Sequence, residues 1–163
     1  MPTPSAIAPA TAGRTRVVRT GEVAVAAPPD VAFPLFTPAG EKLWVAGWDP
    51  DFHHPADGET VAGGAFSTVG ADGRAAHWVI VDWQPERHRV RYARITPGLR
   101  GGTVEVECHG DGDGGTLARV TYDLVAFNAD GDADLAGWTD DWYRDFLAGW
   151  ERDIARALDS RAA

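Results

Sequence analysis

Cys108 is the only cysteine in this chain of 163 residues. A lone thiol excludes an intrachain disulfide framework and a multi-cysteine metal site, and it suits a reducing compartment such as the cytoplasm. No apolar run approaches ~18 residues, so no membrane-spanning helix is expected. The N-terminus lacks a basic start followed by an apolar block, which argues against a secretory signal. Basic residues are outnumbered: 15 Lys and Arg stand against 24 Asp and Glu, giving a net charge of −9. That balance disfavours nucleic acid and anionic membranes as partners. There is no phosphate-cradling loop or dinucleotide fingerprint. The acidic run GDGDGG at 110–115 lacks the glutamate-terminated spacing of a calcium loop and reads as a hairpin turn. No metal and no cofactor are therefore expected.

What the chain does have is aromatic bulk, with seven tryptophans. Rings at this density either fill a core or give a pocket rigid, mostly apolar walls. The stretch FTPAGEKLWVAGWDPDFHHP, residues 36–55, sharpens the choice. It sets Trp44, Trp48, His53 and His54 among prolines and glycines that preclude a long helix or strand. Residues 1–14 are small and rich in Pro and Ala and read as a disordered arm. Residues 15–163 suit one domain, large enough to bury roughly 70% of its unfolded surface.

Period-two alternation marks strands over 15–26, 62–69, 74–83, 88–95, 102–109 and 116–127. Turn-forming Gly, Pro, Asp or Asn lies at the junctions, so the sheet should be antiparallel and joined by hairpins. Val90 and Tyr92 oppose Arg89 and Arg91. Val104, Val106 and Cys108 oppose Glu105, Glu107 and His109. Val120, Tyr122 and Leu124 oppose Arg119, Thr121 and Asp123. The sheet thus covers something on one face only. After the first strand, a short helix capped by Asp30 is expected over 31–36 and a second over 40–45, with a loop from Gly47 to Pro55. Residues 133–160 read as one long helix with Leu135, Trp142, Phe146, Trp150 and Ala157 along one line. The order predicts an α+β fold: a curved antiparallel sheet wrapped around a long C-terminal helix, with two short helices after the first strand.

This layout, together with APPDVAFPLF, GEKLWVAGWDP, HWVIVDWQPERHRVRYARITPG, VTYDLVAF and FLAGWERDIARAL, resembles the START-like (SRPBCC) superfamily and its helix-grip fold. It is most similar to a bacterial subgroup akin to polyketide cyclases and dehydratases, and the match spans about residues 16–160. The resemblance implies a cavity between sheet and long helix, its mouth near the short helices and hairpin ends. It does not by itself assign a function, because one fold hosts many.

Trp44, Trp48, Phe66, Trp78, Tyr122, Trp142, Phe146 and Trp150 are the candidate walls of that cavity, with core packing as the alternative. Arg94 shares parity with Tyr92 and should point inward, where it needs a carboxylate or an anionic ligand group. Asp82 is the candidate partner. Tyr92, Arg94, His53 and His77 are the candidate catalytic groups, able to polarise a carbonyl or move a proton. His53 could equally be a solvated loop residue, and His77 should face outward if Trp78 faces inward. The expected partner is a small apolar or aromatic molecule. Its fate is either carriage or cyclase-like chemistry on a carbonyl. Oligomeric state stays open, a homodimer included.

Overall fold

A computed structural model describes residues 13–162. Of the arm expected over residues 1–14, only Gly13 and Arg14 fall within them, and Arg14 reaches Asp132 at 2.7 Å. The chain forms one seven-stranded antiparallel sheet: β1 (Arg16–Val25), β2 (Asp51–His54), β3 (Ala65–Val69), β4 (Ala75–Gln84), β5 (Arg89–Thr96), β6 (Arg100–Gly110) and β7 (Thr116–Ala126). The order across the sheet is β1-β7-β6-β5-β4-β3-β2. Short connections join β3 through β7, as the turn residues require, residues 55–64 link β2 to β3, and β1 adds to the free edge of β7 with Arg16 opposite Val125. The chain between β1 and β2 must therefore cross from one edge of the sheet to the other.

That crossing is made by α1 (Pro29–Ala32) and two 3-10 turns, Phe33–Phe36 and Gly40–Leu43. Pro28, not Asp30, precedes the first helical residue. Asp30 lies within α1, and its Oδ1 meets His88 Nε2 at 2.7 Å. The two turns pack directly on each other. A Cβ on Gly40 would fall 1.8 Å from the Pro34 carbonyl oxygen, so no other residue permits this approach. Thr37 closes the corner: its hydroxyl donates to Pro34 O at 2.7 Å and accepts from Gly40 N at 3.1 Å.

Two expectations need correction. The loop read over 47–55 contains β2, which pairs with β3 through Phe52 opposite Phe66. The sequence DFHH has one apolar residue and no alternation, so its extended form comes from pairing with a neighbour. The single long helix is two: α2 (Ala129–Ala136) and α3 (Asp140–Ala162). Asn128 caps α2 by accepting from Gly131 N at 2.9 Å. Gly137 follows its last turn, and the Thr139 hydroxyl starts α3 by accepting from Trp142 N at 3.1 Å. No helix among the described residues is long and apolar enough to cross a membrane.

The inner face of the sheet follows the predicted parity. Val90, Tyr92, Val104, Val106, Cys108, Val120, Tyr122 and Leu124 are all buried. Helix α3 covers this face through Tyr143, Leu147 and Ile154. It lies close to β1 because Gly21 has no side chain; a Cβ there would sit 2.6 Å from Leu147 Cδ1.

The two glycines predict different costs. Gly21→Ala pushes on a side-chain tip and should lose about 1 kcal/mol, whereas Gly40→Ala meets backbone and should lose about 3 kcal/mol. Urea denaturation of the two variants beside the parent checks the ranking.

Candidate functional site

The sheet and α3 do not touch throughout. Between them lies a cavity of about 600 Å³. One wall is aromatic. Trp78 and Phe66 are cross-strand partners on β4 and β3 and stack at 5.6 Å and 6°. Trp48 and Tyr92 stand edge-on to both. Tyr122 on β7, with Phe146 and Trp150 on α3, closes the far side, with ring centroids 5.2 to 6.5 Å apart. Such edge-to-face and stacked pairs favour fixed ring orientations. The rim is formed by the β3–β4 hairpin tip and by Ala46 and Gly47, with Gly47 in the left-handed region at φ 72°.

The roof is the segment 33–48, and its rings hang from backbone carbonyls. Trp44 Nε1 donates to Leu35 O at 2.7 Å, and Trp48 Nε1 donates to Pro38 O at 2.8 Å. From the sheet, the Tyr92 hydroxyl donates to Phe36 O at 2.8 Å. This is why large rings occupy a stretch rich in proline and glycine: their polar ends tie the roof to itself and to the wall.

Besides Tyr92, and Asp72 and Arg74 at the rim, the polar side chains lining the cavity include Glu41, Thr68, Arg94, Thr96, Arg100 and Tyr122. Thr68 is committed, accepting from Trp78 Nε1 at 3.0 Å. Arg94 lies opposite Trp78 on one side and Gly102 on the other. Its guanidinium sits 4.8 Å above the Trp78 ring. Among the described residues Arg94 has neither a hydrogen bond nor an ion pair through its side chain. The same holds for the Glu41 carboxyl and the Tyr122 hydroxyl. Burial holds the Glu41 carboxyl well above the usual carboxylate range, only partly offset by the charge on Arg94. Burial lowers Arg94, with Arg100 adding to the effect and Tyr122, Glu41 and Asp134 opposing it. Burial raises the Tyr122 phenol to about 12 and pushes Tyr92 up as well. Burial thus perturbs several ionisable groups within one concave site.

The structure gathers Trp48, Phe66, Trp78, Tyr92, Arg94, Tyr122, Phe146 and Trp150 around this cavity. It places four other candidates elsewhere. Trp44 packs behind the roof against Trp150 and lines an open groove beside Lys42 and Arg156. Trp142 is 41% exposed and stacks on the outer side of Phe146. His53 and His77 lie on the opposite face of the sheet, where both reach the Ser67 hydroxyl, each at 2.7 Å. Neither imidazole can act in the cavity from there. The Arg94–Asp82 pair does not form, because a bulge between Ile80 and Asp82 breaks the parity. Asp82 instead lies 3.5 Å from Arg89.

Glu41, Thr96 and Arg100 escaped the sequence reading. Thr96 and Arg100 could have been found, since they face each other across the Pro97–Leu99 turn with the parity of Arg94. Glu41 sits in a 3-10 turn, where no side-chain period marks the inward face. No group of three or more candidate metal ligands occurs among the described residues.

Comparison with known proteins follows the same architecture. The family described as polyketide cyclase / dehydrase and lipid transport matches residues 14–162. No curated protein sequence matches the chain. Norcoclaurine synthase from Thalictrum flavum, solved with dopamine and hydroxybenzaldehyde, superposes with a TM-score of 0.65 at 11% identity, covering 97% of this chain and 98% of that one. Major latex-like protein 151 from Panax ginseng gives 0.59 at 17% identity, over 90% and 97%. DynU16, from the dynemicin biosynthetic locus, gives 0.56 at 19% identity, over 83% of this chain and 46% of that one. At these identities the likeness concerns the fold alone.

Glu41 makes stability depend on pH with a definite sign. A carboxyl whose folded pKa is raised binds its proton more tightly in the native state, so native stability falls as pH rises above 4.5, its ordinary value, towards the folded one. Glu41→Gln removes that loss. Its stability relative to the parent should increase between pH 4.5 and 8 in paired denaturant titrations, and a constant difference would show that Glu41 is ordinary.

Proposed function

Because this chain belongs to the polyketide cyclase / dehydrase and lipid transport family, we propose that its cavity binds one small, flat, mostly apolar molecule between the sheet and α3. The observation that carries this reading is the cavity itself: about 600 Å³, walled by aromatic rings, with a few polar groups gathered in it. Ligand sites of small molecules have this size and this mixture. Burial of apolar surface supplies the affinity at roughly 25 cal/mol per Å², and the polar groups set orientation. The buried, unpaired thiol of Cys108, raised to about 12 by burial, suits a cytoplasmic setting and has no role in the site.

A second reading has its own support, which is Glu41. A carboxyl whose protonated form is favoured by burial, with no hydrogen-bond partner among the described residues, is placed to donate to a ligand oxygen. In this reading the cavity is that of a cyclase- or dehydratase-like enzyme. Glu41 donates a hydrogen bond to a substrate carbonyl, charge that grows on that oxygen is stabilised, and the rings hold the reactive chain folded. Tyr92 takes no part as a proton carrier, since its hydroxyl is bound to Phe36 O. It positions the wall.

The test begins with the cavity. The neutral probe 1-N-phenylnaphthylamine should bind by calorimetry with a stoichiometry of one. Val106→Phe places a ring in the lined space and should weaken the probe about tenfold or more, with the circular dichroism unchanged. Binding unaffected by that change puts the probe elsewhere and ends the proposal. For the second reading, native mass spectrometry of protein purified from its own host identifies the retained compound. Glu41→Gln should then lower kcat on it by about 10²-fold or more with little change in binding. Equal turnover by parent and variant removes Glu41 from any catalysis.

A further inference from the structure

The inner ends of β5 and β6 carry a cluster that the binding of an apolar molecule alone does not explain. Arg94 and Thr96 are two residues apart on β5 and share the inner face, and Thr96 lies directly across from Arg100 on β6. All three line the cavity. Each presents a fully buried polar atom that meets no partner among the described residues: Arg94 Nε, Thr96 Oγ1 and Arg100 Nε. Buried polar groups are paired in the great majority of cases, so three such atoms side by side point to a shared external partner. The rings underneath hold the two guanidiniums in place, Arg94 over Trp78 at 4.8 Å and Arg100 over Trp138 at 5.5 Å.

The charge balance gives the partner its sign and size. The charged residues lining the cavity are Glu41, Asp72, Arg74, Arg94 and Arg100. Asp72 and Arg74 face each other at 3.7 Å on the rim. Arg100 is held through its other edge by Asp134. Glu41 also lines the cavity but forms no ion pair with Arg94, and burial disfavours its charged form. Arg94 is the one charged residue of this lining, apart from Glu41, that has no ion-pair partner among the described residues, inside a chain whose net charge is −9. A single negative charge matches it, whereas a doubly charged phosphate overcompensates. The guanidinium fork is planar and suits a planar anion.

We propose that Arg94, Thr96 and Arg100 form a subsite for the carboxylate of the bound molecule, so that the ligand is an aromatic or polycyclic carboxylic acid taken up as its anion. The proposal rests on the cavity reading above and narrows it to one chemical class. The Nε groups of the two arginines and the Thr96 hydroxyl are closed off from the open space of the unliganded cavity, and a small turn of each side chain brings them onto the carboxylate. The apolar body extends towards Phe66, Trp48 and Trp150.

The test uses three probes that share one ring system: 2-naphthoate, its neutral counterpart 2-naphthamide, and 2-naphthyl phosphate, each titrated by calorimetry at pH 7 into the parent protein and two variants. The parent should bind naphthoate about tenfold or more tighter than naphthamide, the gain expected of a charge-assisted hydrogen bond in a buried site. Arg94→Met should bring the ratio of the two affinities close to one. Thr96→Val keeps the shape and removes only the hydroxyl. It should weaken naphthoate about threefold to tenfold, leave naphthamide unchanged and raise the melting temperature, because a buried group without a partner is gone. A purely structural Thr96 would lower the melting temperature instead, which counts against the subsite. Equal affinity of the parent for naphthoate and naphthamide overturns the proposal, as does tighter binding of the phosphate than of naphthoate. If none of the three binds while 1-N-phenylnaphthylamine does, the subsite falls and the cavity reading stands. If that probe fails too, both fall together.

Discussion

Three hydrogen bonds from ring to backbone keep this molecule hollow. Trp44, Trp48 and Tyr92 each place a polar edge on a carbonyl of the segment Leu35 to Pro38. A tryptophan or tyrosine side chain buried without such a partner loses the hydrogen bond it had in water. The rings are therefore held where their donors are satisfied, and they cannot slump inward to fill the space between sheet and α3. Interiors otherwise pack to the density of organic crystals. Here the satisfied donors fix a roof, Gly40 lets its two turns meet, and the cavity is what remains beneath.

The same roof sets the electrostatics. Because Glu41 follows Gly40 directly, the close approach of the two turns determines where its carboxyl lies. The carboxyl and Arg94 face one enclosed space without touching, so neither neutralises the other. A buried ion pair in contact would have been a structural tie of uncertain net value. Two groups held apart in a shared cavity leave their hydrogen-bonding capacity to whatever enters. The outer face shows the contrast: His53, Ser67 and His77 satisfy one another across three strands and are open to water.

Much of this was legible from residues alone, for identifiable reasons. Strands β1 and β3 to β7 alternate because one face is buried and the other wet, and alternation is visible in sequence. The inward direction of Arg94 followed from the same rule. Strand β2 was not legible, because a four-residue edge strand with one apolar residue is extended only by virtue of its neighbour. The break at Gly137 was signalled by the glycine and by Thr139, yet the aromatic stripe runs on through it and masked the stop. Asp82 was misjudged because one bulged residue reverses every parity argument beyond it. Glu41 was invisible for a related reason: a 3-10 turn has no repeating face, so the burial of its side chain depends on a contact between segments distant from the sheet.

The register of β1 against β7 has a temporal corollary. Arg16 meets Val125, and Gly21 on β1 receives Leu147 from α3. The first strand thus waits for partners made more than a hundred residues later. Closing so wide a loop is slow, and a chain emerging from the ribosome cannot begin it until nearly all of these residues have been made. No partial container exists along the way. Until then the inner faces of β2 to β6 lack the cover that α3 gives them, and the chamber closes only when both ends of the fold come together.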